Sequence, residues 1–509
     1  MRQWIAWRGW VCGVGLCLAA ACSFDASGLA PPFGDDDARA PDGGDAGADG
    51  APPQRPDAAA PPSGAAVWVT TPDRARLLVR DPDIPFGAID GALTRILSVD
   101  PARTYQTVRG FGASLTDSAA WVIDDKLEGN RRAALLRQLF DRDDGIGLSL
   151  LRQPMGASDF ARRVYSYDDT PSDLADFSIR HDQGYITPLL REIRALNPSL
   201  TIIATPWSPP GWMKTTSSMI RGRLKPTSYR ALADYFVRFL QAYADDGVPV
   251  AAITMQNEPH YEPAGYPGMF MEWTEQATFL DQFLAPALHT AGLDTEIYVW
   301  DADWDEPDYP LQILADPLAK AAVAGTAFHC YHGDPSTQQQ VHDAHPDRAI
   351  WITECSSGLW RGDFAAVLRY DVQTLIIGGL RNWASAVITW NLALDPRHGP
   401  NTGGGCADCL GTVEISDNGE VTPNAEYYAL GHASKFVVPG AVRIESTTLG
   451  AGSLESVAFA NPDGSVAVVV LNSGTAAADF QLAVGDRGLA YQLPAGAVAT
   501  FAWGGRFTR

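Results

Sequence analysis

The stretch Val248-Pro-Val-Ala-Ala-Ile-Thr-Met-Gln-Asn-Glu-Pro-His-Tyr261 carries an apolar strand straight into a polar tip, Asn257-Glu258-Pro259. Proline stops the chain from continuing as helix, so the tip reads as a strand end. In parallel barrels the chemistry sits at strand ends, where an amide can hold a sugar hydroxyl and a carboxyl can handle a proton. Taken alone, Glu-Pro after a strand is equally well an ordinary turn. A second stretch has the same build. Ala349-Ile-Trp-Ile-Thr-Glu-Cys-Ser-Ser-Gly358 is an apolar strand ending in the carboxylate Glu354. Two such ends can supply the carboxylate pair of a glycosidase.

Working outward, strand–loop–helix units repeat around these two stretches. Eight strands are expected at 107–114, 145–153, 200–206, 250–256, 296–300, 325–331, 349–353 and 385–390. The helices between them carry apolar residues at helical spacing. One has Ile186, Leu189, Leu190 and Ile193; another has Leu232, Phe236, Leu240 and Tyr243, closed by Gly247. Eight alternations predict a (β/α)8 TIM barrel over residues 106–432. Residues 66–105 and 433–509 instead read as short alternating strands, with a hairpin at Asn461-Pro-Asp-Gly464. Neither set is large, so the two chain ends are expected to pair as one appended β-sandwich.

The strand ends supply further candidates. Arg109-Gly-Phe-Gly-Ala-Ser-Leu-Thr-Asp117 ends the first strand, and Asp117 could accept from sugar hydroxyls or merely cap the next helix. Arg152 follows an apolar second strand, where its guanidinium would keep a nearby nucleophilic carboxylate ionised. Thr205-Pro-Trp-Ser-Pro-Pro-Gly-Trp212-Met-Lys214 makes a rigid wall bearing Trp207 and Trp212. Phe328-His-Cys-Tyr-His-Gly333 brings Tyr331, a hydrogen-bond donor for a carboxylate. His329 and His332 have no acidic partner at ligand spacing, so no metal site is expected. Trp390 stands at the rim after the eighth strand, ahead of Gly403-Gly-Gly-Cys406-Ala-Asp-Cys409. That Cys-x-x-Cys has no matching pair for zinc and reads as a local disulfide on a rim loop, whereas Cys330 and Cys355 read as buried thiols.

The 509-residue chain has a net charge of −22 and no basic patch, which argues against nucleic acid or anionic lipid as the main partner. Residues 1–22 pair early arginines with a short apolar run, the pattern of a secretion signal. The small residues before Cys22 resemble a bacterial lipoprotein cleavage box, which would leave an acylated Cys22 as a membrane tether. Residues 23–65 hold eight Asp and two Arg among Ala, Pro and Gly, the composition of a disordered linker. An exported, monomeric protein at the cell surface or outside the cell is expected.

Gly110-Phe-Gly-Ala-Ser-Leu-Thr-Asp, Leu151-Arg-Gln-Pro-Met, Tyr165-Ser-Tyr-Asp-Asp-Thr170, the Pro206–Lys214 wall, Asn257-Glu-Pro, Thr353-Glu-Cys and Trp390-Asn-Leu-Ala-Leu resemble glycoside hydrolase family 30. The resemblance runs in order from about residue 67 to the C-terminus and implies the same barrel and sandwich. It implies a retaining hydrolase of β-glucosides without cofactor or metal, with Glu258 as acid/base and Glu354 as nucleophile, their carboxyls about 5 Å apart. Asn257 would hold the 2-hydroxyl, Asp117, Trp207 and Trp390 would line the glucose subsite, and Tyr331 would orient the nucleophile. The family's glucosylceramidases share Gly399-Pro-Asn401 but not the Cys-x-x-Cys continuation. A glucosylceramidase-like activity is the leading expectation. An endo-β-1,6-glucanase is the alternative, and a non-catalytic carbohydrate-binding protein the rival of another class.

Overall fold

The computed structural model describes residues 63–171 and 173–508. The expected signal, linker and Cys22 tether lie outside these residues. Eight parallel strands close into a barrel: β1 (Gly110–Ser114), β2 (Leu150–Pro154), β3 (Thr201–Thr205), β4 (Ala252–Thr254), β5 (Glu296–Asp303), β6 (Gly325–His329), β7 (Ala349–Glu354) and β8 (Ala384–Thr389). Each falls within or across the stretch its apolar run predicted. The strands are buried on both faces, as parallel sheets wrapped by helices must be. Inside the barrel Leu150, Ile203, Ala252, Tyr298, Ala327, Trp351, Ala386 and Ile388 form one packed core. Tyr298 and Trp351, with ring centroids 4.5 Å apart, fill the space left by the alanines. Gly112 lets β1 and β2 close up, because a Cβ there would stand 1.8 Å from the Leu150 carbonyl oxygen.

Outside the barrel the helices present the expected faces. Ile186, Leu189, Leu190 and Ile193 are buried on Ile186–Leu196, as are Leu232, Phe236, Leu240 and Tyr243 on Tyr229–Asp245. Gly247 takes φ +80° just past that helix, a conformation costly for a residue with a Cβ.

Strands from both chain ends share one ten-stranded sheet. Its order runs from Val79–Pro85 and Gly64–Thr70 through Val498–Trp503, Val466–Asn472, Leu454–Ala460 and Val442–Ser446. It continues through Ile96–Thr107, Ala478–Val484 and Arg487–Leu493 to Gly87–Ala88. All pairs are antiparallel except Ile96–Thr107 with Ala478–Val484. The sheet curls until its ends meet: the Tyr491 hydroxyl donates to Asp81 at 2.8 Å around a core that includes Phe86, Phe480 and Phe501. The helix Ala425–Ser434 is buried on every side between barrel and sandwich. Its His432 is hydrogen-bonded to Thr500 and Thr70, both at 2.9 Å, which ties the sandwich to the barrel.

Candidate active site

The mouth of the barrel holds a cleft of about 610 Å³ lined by Glu258, Glu354, Tyr331, Trp207, Trp390 and residues of the loops above them. β4 delivers Glu258 and β7 delivers Glu354. The Glu258 backbone has φ +46°, an uncommon conformation outside glycine that turns the carboxyl into the cleft, and its N–H donates to the Asp301 carbonyl at 3.0 Å. A carboxylate oxygen of Glu258, one of Glu354 and a ring nitrogen of His329 all lie within 4.8 Å of one another.

The two carboxyls differ in their surroundings. Glu354 accepts from the Tyr331 hydroxyl at 2.8 Å on one oxygen and from the Arg152 guanidinium on the other. Arg152 is fully buried under the cleft, where it also donates to Asn257 Oδ1 at 2.7 Å and Asp301 Oδ2 at 2.9 Å. It stacks beneath Trp207, 4.7 Å from the ring centroid, and Trp207 lies on Trp390 with centroids 4.9 Å apart. Glu258 has no arginine; His329 Nδ1 faces it at 3.3 Å. Burial and the charge of Glu354 push the Glu258 pKa up, against the opposing pull of His329.

Asp301 organises this floor and escaped the sequence reading, which ended the fifth strand at residue 300. Trp300 pairs with Ala327 but Ala302 pairs with Phe328, so Asp301 is the extra residue of a β-bulge. The bulge turns its carboxylate inward, where Thr254 and Thr353 donate to it at 2.6 Å each and His329 Nε2 meets it at 3.0 Å. Burial opposes its charge, but Arg152 and His329 hold its pKa well below the usual carboxylate range. The run Trp300-Asp-Ala-Asp-Trp-Asp305, acidic at a strand end, was the available signal.

His329 corrects the expectation that it lacks acidic partners. They come from other strands: Asp301 on one ring nitrogen, Glu258 on the other. Burial disfavours a charged imidazole, yet Glu354, Asp301 and Glu258 together raise its pKa to about 10. His329 thus joins Asp301 and Glu258 in one hydrogen-bonded charge network.

Asn257 is buried beside Arg152, and its Oδ1 is the acceptor in that pair. Asp117 is not among the residues lining the cleft. Its carboxylate takes His181 Nε2 at 2.6 Å, the Tyr185 hydroxyl and the Arg162 backbone N–H at 2.8 Å. The helix cap is its neighbour Thr116, which accepts from Ala119 N–H at 3.0 Å. Trp212 also turns away, donating its indole N–H to the Asp168 carbonyl at 3.1 Å.

Cys330 and Cys355 are bonded to each other and are not free thiols. β6 and β7 are neighbours with His329 opposite Glu354, so the next residue on each strand meets its counterpart, Cα atoms 5.2 Å apart. Twenty-five residues of sequence separation hide a pairing that strand register makes plain. This bridge joins the residues that flank Tyr331 and Glu354. Converting both cysteines to serine is expected to cost about 3.5 kcal/mol of stability through the closed loop. An unchanged thermal unfolding transition would mean that barrel packing alone holds the two strand ends. Cys406 and Cys409 form the local bridge expected of the rim loop.

Asp159, on the loop after β2, also lines the cleft, beside the backbone of Gly405. Burial, with the charges of Glu354 and Glu258, pushes its pKa up to about 8. The folded protein thus holds a proton there that the unfolded chain releases above its ordinary value, so stability falls as pH rises through that window. Asp159→Asn cannot ionise. It is expected to raise the unfolding midpoint by at least about 2 °C near pH 8 and to leave it almost unchanged near pH 4. Equal shifts at both pH values would sink this account.

Two family models match the chain: the glycosyl hydrolase family 30 TIM-barrel domain over residues 108–437 and the family's beta sandwich domain over 440–501. An endo-1,6-beta-D-glucanase of Aspergillus fumigatus is 35% identical over 72% of this chain and 79% of its own length. The lysosomal acid glucosylceramidase of Mus musculus is 30% identical over 83% of this chain and 86% of its own. Among solved structures, the endo-beta1,6-glucanase BT3312 superposes with a TM-score of 0.80 at 34% identity, covering 86% of this chain and 99% of its own.

Proposed function

We propose, from the premise that this chain belongs to glycosyl hydrolase family 30, that it is a retaining endo-β-1,6-glucanase. The family makes it a glycoside hydrolase. What favours a polysaccharide over the glucosylceramide first expected is the make-up of the cleft. Ala302 is the sole aliphatic side chain among the described residues lining it. The rest are aromatic, polar or glycine, apart from the two disulfide cysteines of the rim. A ceramide leaving group needs apolar surface to receive its chains. Sugars need hydrogen-bonding groups and aromatic faces. The lining also carries Asp159, Glu258, Asp303, Asp305, Glu306 and Glu354 with no lysine or arginine, which suits an uncharged glucan and disfavours a uronic-acid polymer. Similarity to endo-1,6-beta-D-glucanases of Aspergillus and Neurospora, at 35% and 36% identity, points the same way.

The mechanism follows from the two carboxyls. Glu354 attacks the anomeric carbon while Glu258 gives its proton to the departing glycosidic oxygen. A glucosyl ester on Glu354 results. Glu258, now a carboxylate, takes a proton from water, which attacks the same carbon from the opposite side and restores the β configuration. Carboxylate oxygens within 4.8 Å support this double displacement, since inverting enzymes keep theirs farther apart to admit water. Asn257, its carbonyl end committed to Arg152, is left with an amide donor for the sugar's 2-hydroxyl. Export would place such an activity where polymeric glucan is met.

Incubating the protein with a linear β-1,6-glucan, and separately with glucosylceramide, tests the reading. Oligosaccharides from the glucan and no glucose from the lipid are expected. The reverse pattern would return the chain to the glucosylceramidases.

A further inference from the structure

Two side chains at the cleft are conspicuous for what they leave in water. Tyr261 and Trp360 both line it and are 53% and 52% exposed, whereas most large aromatic side chains of the protein are buried. Each is fixed to one of the two reacting strands. Tyr261 closes a tight turn that starts at Glu258, donating its N–H to the Glu258 carbonyl at 2.8 Å. Trp360 lies six residues past Glu354 on a short helical turn, Leu359–Arg361.

The Trp360 ring is laid against the backbone of Gly358: a Cβ on that glycine would come within 2.0 Å of it. The turn is tied to the rim loop on both sides. Leu359 N–H donates to the Asp408 carbonyl at 2.9 Å and Leu410 N–H to the Ser357 carbonyl at 2.8 Å, with Gly358 bridged to Cys409. Beyond it, the Arg361 guanidinium rests on the Tyr370 ring, 3.2 Å from the centroid. The Cys406–Cys409 bridge closes the rim segment to which the backbone of this turn is bonded. An indole held this firmly by one face and left open on the other is a preorganised surface, and ordering it costs nothing at binding.

We infer that Trp360, with Tyr261, is the platform on which glucosyl units beyond the reacting one stack, making this site act on chains in preference to single glucosides. The inference rests on the glucanase reading and names the residues that enforce it. The C–H faces of a glucose ring pack on an aromatic plane, and neither side chain is hydrogen-bonded to Glu258 or Glu354; the bonds to those carboxyls come from His329, Tyr331 and Arg152. Trp360 is thus a specificity-determining residue. Its loss should weaken binding of long substrates and leave the chemical step intact.

The test compares wild type, Trp360→Ala and Trp360→Phe on β-1,6-linked gluco-oligosaccharides of increasing length and on an aryl β-glucoside. For Trp360→Ala the ratio of chain to aryl-glucoside kcat/KM is expected to fall about five- to tenfold, through KM, with Phe restoring most of it. Affinity is read separately by titrating Glu354→Gln with and without Trp360→Ala. Weaker binding of the longer oligosaccharides by the double variant is expected. Equal affinity of the two variants, or an equal kinetic loss on the aryl glucoside, would overturn the platform. Failure of the wild type to cleave the oligosaccharides would overturn the glucanase reading instead. Failure of Glu354→Gln to bind any of them would overturn both.

Discussion

Glu354→Gln is expected to lower kcat on every β-glucoside by at least about 10⁴-fold, because a neutral amide cannot form the glycosyl ester. The fold should survive. Arg152 keeps the Asp301 carboxylate as counter-charge, and the new side chain's single carbonyl oxygen can still accept from Arg152 while its amide N–H donates to the Tyr331 hydroxyl oxygen. Substrate affinity should therefore persist while turnover vanishes. In the wild type, a 2-deoxy-2-fluoro glucoside with a good leaving group should add one fluoroglucosyl mass to the peptide containing Glu354. The fluorine slows hydrolysis of the ester more than it prevents its formation. Labelling of any other residue, or activity of the variant within a hundredfold of wild type, would remove the nucleophile assignment.

How far the sequence led to this site depends on the kind of signal each part left. Apolar runs of five to nine residues, broken by polar ends, located all eight barrel strands, and the two that end in Glu258 and Glu354 put both carboxyls at the same mouth. Such runs report burial, and burial is local. Asp301 could not be read that way, because its direction is set by a one-residue bulge against β6 that only the pairing reveals. Cys330 and Cys355 are alike: each sits one residue past its strand, and they meet only because those strands are adjacent and in that register. The partners of His329 come from β4 and β5, so a search for ligands near it in sequence was bound to miss them. The motif around Asp117 is where the resemblance places a sugar contact; His181 and Tyr185, which also bond its carboxylate, come from the following unit and left no local signal.

Glu258→Ala separates the two steps of the reaction, because the acid is needed in unequal measure. With the glucan, whose leaving group is a sugar alkoxide, loss of the acid should cost about 10²–10⁴-fold in kcat/KM. With a dinitrophenyl β-glucoside, whose leaving group needs no proton, the first step should be nearly unimpaired. The glucosyl ester on Glu354 would then accumulate, since no base activates water, and a burst of one phenolate per enzyme should precede slow turnover. Azide needs no base. It should accelerate that turnover and yield the β-glucosyl azide, the product of a second inversion at the anomeric carbon. An α-azide would mean that no ester had formed. The pH profile provides a second readout. Burial and the neighbouring charge of Glu354 raise the Glu258 pKa, so the wild type keeps its acid form to higher pH than an exposed glutamate would. Activity on the glucan should fall as pH rises through that pKa, and in Glu258→Ala the alkaline limb should disappear from the glycosylation step on the activated substrate. If the limb persists unchanged, another group carries the proton. Asp159, poised near pH 8 in the same cleft, would be the residue to test next.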